Sequence, residues 1–174
     1  MIFKELITDR LFLKNISDED SEFILSQFSD YDVNKYLYDA EPMIDCMEAV
    51  ALIKFYTYPE PRYQHRWDLV RKCDGLKIGT CGFHCWDTNQ NKIDIGYDLK
   101  KAFWGNGYMQ EAMNAIISFA IMKLDIHRID AHIYYENLKS ITLAQKLGFE
   151  FHGETEACLF RGQEYLHYIY TMTI

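Results

Sequence analysis

The chain lacks any apolar run near the roughly 18 residues that suggest a membrane span. Its best candidate, AIISFAIMKLDI, is interrupted by Ser118 and Lys123. A membrane partner is therefore not expected. The first residues, MIFKELITDRLFLK, alternate and carry charge, unlike a signal peptide. Cysteine is sparse and odd in number: Cys46, Cys73, Cys81, Cys85 and Cys158 stand at irregular spacing. That pattern argues against a secreted disulfide scaffold and for a reducing, cytoplasmic setting. Excess positive charge is missing too. A formal net charge of -8 disfavours a nucleic-acid backbone as the main ligand. No GxGxxG and no GxxxxGK[ST] occurs, so neither a dinucleotide fold nor nucleotide hydrolysis is indicated. No second Cys/His pair at zinc spacing accompanies C-G-F-H-C at 81–85, and no metal is expected.

What is present is a chain of 174 residues, 49% hydrophobic, enough for one compact domain over 1–174. Its organising stretch runs from Lys92 to Phe149. Ile93, Ile95 and Tyr97 alternate with Asp94, Gly96 and Asp98, the two-residue period of a strand. The loop FWGNGY follows, and then Met109, Ala112, Met113, Ile116, Ile117, Ala120, Ile121 and Leu124 recur three and four apart, an amphipathic helix. Gly105 and Gly107 stand where strand becomes helix, so backbone N–H groups can point out of a tight turn toward an anion. On its own that turn reads equally well as purely structural. RIDAHIY is a second strand, Asn137 a helix N-cap, Ile141, Ala144 and Leu147 a helical stripe, and Gly148 a C-cap. The whole predicts an α/β domain with a mixed sheet, antiparallel at first and flanked by helices.

Around this core the pattern predicts a strand or hairpin over 2–14 turning at Thr8-Asp9. A short helix follows from the SDED start at 17–20, then a second helix over 43–57. Strands are predicted over 67–72, 77–86, 151–154 and 165–172. Strand alternation places Cys81 and Cys85 on one face, as core thiols, with His84 on the other. His132 lies opposite the Ile129–Ile133 face, a surface histidine or a cleft residue. Between Ser17 and Glu60 eleven Asp/Glu meet two Lys, a local net of -9 that leaves the rest near neutral. This is either a solvated helical face or an acidic rim recruiting a cationic acceptor.

Three motifs in order, KIDIGYDL, FWGNGYMQEA and NLKSITLAQKLGF, with ITDRLFLK at 7–14, resemble the GNAT superfamily of acyl-CoA-dependent N-acetyltransferases. Within it they resemble the RimJ/RimL ribosomal-protein N-terminal acetyltransferase branch. The resemblance covers essentially the whole chain. It implies a GNAT-like domain whose sheet splays at the cofactor site, with acetyl-CoA as co-substrate. By position, the N–H groups of Trp104, Gly105, Asn106, Gly107 and Tyr108 would hold the CoA pyrophosphate. Ala102 replaces the usual Arg or Gln, leaving a backbone cradle aided by Lys100 or Lys101. Tyr97, Asp98 and Leu99 would pair with pantetheine, with Asn137 and Ser140 near its arm and thiol. Asp94 would act as general base through water. Ala144 replaces the family's helix tyrosine, which leaves Ser140 as the substitute acid, while Glu111 is assigned to structural pairing. The implied acceptor is a primary amine: a cationic peptide, a protein N-terminus, or a small amine or aminoglycoside. The alternatives are a non-catalytic acyl-CoA-binding or interaction module, and a homodimer is compatible with either.

Overall fold

In the computed structural model, which describes residues 2–38 and 40–174, one sheet organises the chain. A short hairpin comes first, β1 (Leu6–Ile7) and β2 (Leu11–Asn15), closed where the Thr8 N–H meets the Leu11 carbonyl at 3.0 Å. A 3-10 turn at Asp18–Asp20 leads into α1 (Ser21–Phe28), followed by α2 (Tyr31–Asn34) and α3 (Cys46–Thr57). Antiparallel strands β3 (His65–Arg71), β4 (Lys77–Asp87) and β5 (Lys92–Leu99) come next. Then follow α4 (Tyr108–Leu124), β6 (Arg128–Tyr134), α5 (Leu138–Lys146), β7 (Glu150–Phe160) and β8 (Gln163–Thr173). The strand order is β1-β2-β3-β4-β5-β6-β8-β7, and only β5 and β6 run parallel. The fold is the expected single α/β domain with a mixed central sheet flanked by helices. No helix among the described residues is long and apolar enough to cross a membrane.

The β5–β6 pairing is brief. It joins Lys92 to Arg128, Ile93 to Ile129 and Asp94 to Asp130, and stops there. Beyond Asp94 the strands part, which is the splay implied for this position. The two sheet faces carry separate apolar clusters. On one, Trp67, Leu69, Cys81, Phe83, Ile93 and Ile95 pack with Met113, Ile116 and Ala120 of α4. On the other, Ile24 of α1 and Ala49, Ile53 and Tyr56 of α3 form a smaller cluster with Ile16.

Between that second cluster and the sheet lies a buried ion pair. The Arg66 Nη1 donates to Asp98 Oδ2 at 2.8 Å, with both side chains under a tenth exposed. Asp98 Oδ1 also accepts from the Gln27 amide of α1 at 2.7 Å and from the Thr80 N–H at 3.2 Å. The Arg66 Nη2 reaches the Tyr56 hydroxyl of α3 at 3.2 Å. A buried charge is tolerated only when paired and hydrogen-bonded, and this pair, which joins β3 to β5, draws its partners from α1, α3 and β4.

Several boundaries differ from the predicted ones for local reasons. α3 starts at Cys46, not 43, because Asp45 caps it, accepting from the N–H groups of Met47 and Glu48, while the Met43 N–H bonds the Phe28 carbonyl. β4 is irregular between His84 and Asp87, and Cys85 adopts φ 48°. That break ends the alternation, so Cys81 is buried but Cys85 is exposed, a correction to the reading of both as core thiols. β7 runs to Phe160, well past 154, because it is an edge strand exposed along most of its length and offers no hydrophobic alternation to read.

The ion pair gives a direct test. Arg66→Leu should cost about 3–5 kcal/mol in urea unfolding, since it strands the Asp98 carboxylate among apolar atoms. Arg66→Leu with Asp98→Leu should recover much of that loss. A single variant within about 1 kcal/mol of wild type would mean the pair does not anchor the layer.

Candidate active site

Where β5 and β6 part, a cavity of about 540 Å³ opens on the α1–α3 side of the sheet. Its floor is residues 94–98 of β5 and 131–134 of β6, its roof comes from α1, α3 and the segment between them, and Asn137 and Ser140 stand at its edge.

Asp94 lies at the last paired position of β5, with its side chain 16% exposed. Its Oδ1 is buried without a hydrogen-bond partner, the Lys92 ammonium being 3.8 Å away. Burial lifts the Asp94 carboxyl above its ordinary value, and His132 and Lys92 pull it partly back. Its Oδ2 is 3.6 Å from His132 Nε2, and His132 Nδ1 is 2.7 Å from Glu156 Oε2 on exposed β7. His132 is thus a cleft residue. Sequence reading could not supply Glu156, because β7 reaches it only through pairing with β8. On the same sheet face, His84 Nδ1 meets the Tyr56 hydroxyl at 2.9 Å, and burial drives its pKa down to about 3, so the ring is neutral. The His84 ring occupies the space a side chain at Gly96 would need: a Cβ there would come 2.5 Å from Nε2.

The other predicted residues fall into three groups. Tyr97 lines the cavity, and its hydroxyl donates to the Ser140 carbonyl at 3.3 Å, with burial raising its pKa to about 12. Asn137 caps α5, its Oδ1 accepting from the Ser140 N–H at 3.3 Å. These hold the first turn of α5 against β5. Asp98 points its carboxylate into the buried ion pair, so only its backbone is available to a ligand, while the Leu99 carbonyl accepts from the Trp104 indole at 2.7 Å.

The turn before α4 is the third group. Gly105 and Gly107 both take φ 77°, a left-handed conformation that side chains disfavour, and residues 105–107 are exposed. Gly107 is the N-cap and brings no side chain to cap the helix, so the first-turn N–H groups stay open around Tyr108. The Trp104 N–H is different: it already bonds the Lys101 carbonyl at 3.2 Å, which removes it from the cradle as drawn from sequence. Asn106 uses its side-chain amide to brace the turn, donating to the carbonyls of Phe103 and Trp104, both at 3.1 Å.

Positive charge at the turn comes from elsewhere than expected. Lys101 pairs with Asp32 at 3.0 Å and Lys100 lies over the Phe23 ring. Instead Arg10, from the β1–β2 turn, donates to the Asn106 carbonyl at 2.9 Å and lies 4.5 Å over Tyr108, and Lys139 sits 3.8 Å over the Trp104 ring. Glu111 holds Arg10 in place, accepting from its Nε at 2.6 Å and from Thr8, the structural pairing foreseen for it.

Most of the acids between 17 and 60 are spent on structure. Asp30 and Asp45 cap helices, Glu48 accepts from the Ile44 N–H, Asp20 pairs with Lys77, and Glu41 pairs with Arg161. Of these acids, among the described residues, only Glu41 lines the cavity. Asp94, Asp130 and His132 place one ligand atom each within 4.8 Å of one another, but Asp130 is already held by Lys92 and by Arg128, each at 2.9 Å, so the cluster is built for ion pairing rather than for a metal.

The acetyltransferase (GNAT) domain profile matches residues 10–150. The chain belongs to the GNAT acetyltransferase family. The uncharacterized N-acetyltransferase YoaA of Bacillus subtilis (strain 168) is 34% identical over 154 residues, covering 87% of this chain and 86% of YoaA. Among solved structures, RimL, a ribosomal L7/L12 α-N-protein acetyltransferase in complex with coenzyme A, superimposes with a TM-score of 0.86. It shares 16% identity over 98% of each chain. Spermidine N-acetyltransferase from Vibrio cholerae, in complex with CoA and spermine, gives 0.82 at 18% identity over 94% and 95% of the two chains. These likenesses confirm the GNAT architecture. The protein is accordingly an acetyl-CoA-dependent acetyltransferase.

Placing valine at 107 forces a β-branched residue into the left-handed region, at about 1–2 kcal/mol, and turns the first N–H groups of α4. The strain is a stability cost, whereas the turned N–H groups no longer meet the phosphate. Calorimetric titration of Gly107→Val with acetyl-CoA should therefore show roughly tenfold weaker binding, about one charge-assisted hydrogen bond. Arg10→Ala should weaken it by a similar factor, about one charge-assisted hydrogen bond. Unchanged affinity in both variants would remove the turn from the cofactor site.

Proposed function

We propose that the protein moves an acetyl group from acetyl-CoA to a primary amine by direct attack in a ternary complex within the cavity at the β5–β6 divergence. The observation that carries this reading is Asp94: a half-buried carboxylate with an unpartnered oxygen, lining the cavity where the two strands part. In this reading the N–H groups of Gly105, Asn106, Gly107 and Tyr108 hold the pyrophosphate, with Arg10 and Lys139 supplying charge. The open edge of β5 at Tyr97–Leu99 receives pantetheine, and Asn137 and Ser140 lie beside its arm and thiol.

The chemistry requires three events. The acceptor ammonium gives up a proton, the free amine nitrogen attacks the thioester carbonyl carbon, and the C–S bond breaks as the second proton from that nitrogen passes to the leaving thiolate. Asp94 takes the first proton, directly or through water, and passes it along His132 to Glu156 at the surface. Backbone N–H groups of β5 face the developing oxyanion. Ser140, at the first turn of α5, positions the leaving thiol.

For the acceptor, the α-amine of a protein or peptide is the leading reading, supported by the motif resemblance to the RimJ/RimL branch and by the RimL-like fold. A small amine is the second, supported by the likeness to spermidine N-acetyltransferase. Attraction of a strongly cationic acceptor by the acidic stretch has no support from the cavity lining. Five cysteines, an odd number at irregular spacing, accord with a reducing, cytoplasmic setting. A non-catalytic acyl-CoA-binding module would bind acetyl-CoA yet release no CoA thiol with any amine.

Asp94→Asn should leave acetyl-CoA affinity intact and lower turnover by ~10²–10⁴, the usual span for a general base. The sign of the pH dependence follows from the raised carboxyl. Only ionised Asp94 accepts a proton, so wild-type activity falls as pH drops through that raised pKa and is retained above it. The variant loses this acid limb, and its deficit shrinks as pH rises and more amine arrives neutral. Ser140→Ala should cost less, ~10-fold, where backbone dipoles carry most of the charge stabilisation. A pH–rate series on one identified amine checks both, and full activity of Asp94→Asn at neutral pH would dismiss it as the base.

A further inference from the structure

The wall of the cavity opposite the β5 edge is aromatic and aliphatic, built from Phe28, Tyr36, Leu52, Phe55, Tyr56 and Tyr134. Its charged groups are almost all committed within the protein. Arg66 and Asp98 neutralise one another, Glu41 is held by Arg161 at 2.7 Å, and His132 is held by Glu156. His84 is neutral and engaged by Tyr56. Among the described lining residues this leaves Asp94, whose Oδ1 has no hydrogen-bond partner although Lys92 lies 3.8 Å away, as the carboxylate best placed to meet an ammonium. Three of the aromatic faces are already taken by cations of the protein itself, the Lys35 ammonium standing 4.9 Å over Tyr36 and the Arg66 guanidinium 4.8 Å over Tyr56 and 5.5 Å over Phe28. A second ammonium would meet like charge there.

A polyamine or aminoglycoside presents several ammonium groups, and each one buried without a counter-charge is costly. A cavity with one such carboxylate and an apolar wall instead suits one amine on an uncharged body, whose apolar surface gains by leaving water. The volume of about 540 Å³ must also admit the thioester end of the cofactor, so the body is small. We infer that the preferred acceptor is a monoamine carrying a neutral aromatic or aliphatic group close to the reactive nitrogen, and that polycationic amines are poorer acceptors. Two sources share this chemistry: a free arylalkylamine, and a peptide N-terminus whose first side chain is aromatic or aliphatic. The inference rests on the reading that acetyl transfer takes place in this cavity.

The test measures CoA thiol release by the full chain at saturating acetyl-CoA, with phenethylamine, a Phe-Gly dipeptide, spermidine and an aminoglycoside as acceptors. The first two should exceed the last two in kcat/KM by ~10-fold or more, the discrimination an apolar pocket supplies. Whichever of the two is better identifies the source. Tyr134→Ala should erase ~10-fold of that advantage through KM. Because Tyr134 also packs against Tyr36 and Tyr38, a gain-of-function variant accompanies it. Leu37→Glu adds a further, unpaired carboxylate to the lining and should raise the rate with spermidine ~10-fold, one extra charged contact. Spermidine or the aminoglycoside reacting as well as phenethylamine in the wild type would overturn the inference and leave acetyl transfer standing. Acetyl-CoA binding without thiol release from any amine would overturn the transfer reading itself, and this inference with it.

Discussion

Arg66 and Asp98 are buried as a charged pair that must be hydrogen-bonded to be tolerated, and meeting that demand shapes one side of the molecule. Their hydrogen bonds reach Thr80 on β4, Gln27 on α1 and Tyr56 on α3. The helical layer is thereby fixed in register over the sheet, where apolar contact alone would allow sliding. Tyr56, held by Arg66, in turn fixes His84. Asp94 therefore sits beside side chains held by hydrogen bonds, which suits the proton-accepting role proposed for it.

Charge is sorted along the cleft. At the glycine turn, Arg10 bonds the Asn106 carbonyl and Lys139 lies over the Trp104 ring, so cations gather beside the open N-terminus of α4, an environment that suits phosphate. At the far end, Asp94 stands among neutral and self-paired groups. The strand edge of β5 runs between the two. A ligand lying along that edge would have its anionic end at one terminus and its reacting carbonyl at the other, so one open strand sets both orientation and reach.

Much of this was legible because periodicity reports burial directly. The β5 alternation, the α4 stripe and the Asn137 cap each depend on neighbours a few residues away, and each stands where the pattern placed it. What was not legible depends on partners remote in sequence. Arg10 replaces the cation missing at Ala102 from 96 residues before Asn106, through a hairpin turn. Glu156 reaches His132 across the edge strand, and no local pattern marks that pairing. The acids of 17–60 looked like a single charged surface because composition does not distinguish a helix cap from a solvated carboxylate. Cys85 left the core because one residue entered the left-handed region, which alternation cannot anticipate.

The contact between Gly96 and His84 bears on how this site can vary. The His84 ring fills the volume that any larger residue at 96 would occupy, so the two positions are not independent. Alanine at 96 displaces the imidazole, which then loses Tyr56 and opens the wall behind Asp94. The same alanine becomes harmless once residue 84 is small. A larger residue at 96 should therefore be accepted only with, or after, a smaller one at 84. In diverging relatives of this chain, the cavity floor would change through such ordered exchanges between strands β4 and β5, the histidine yielding before the glycine is replaced.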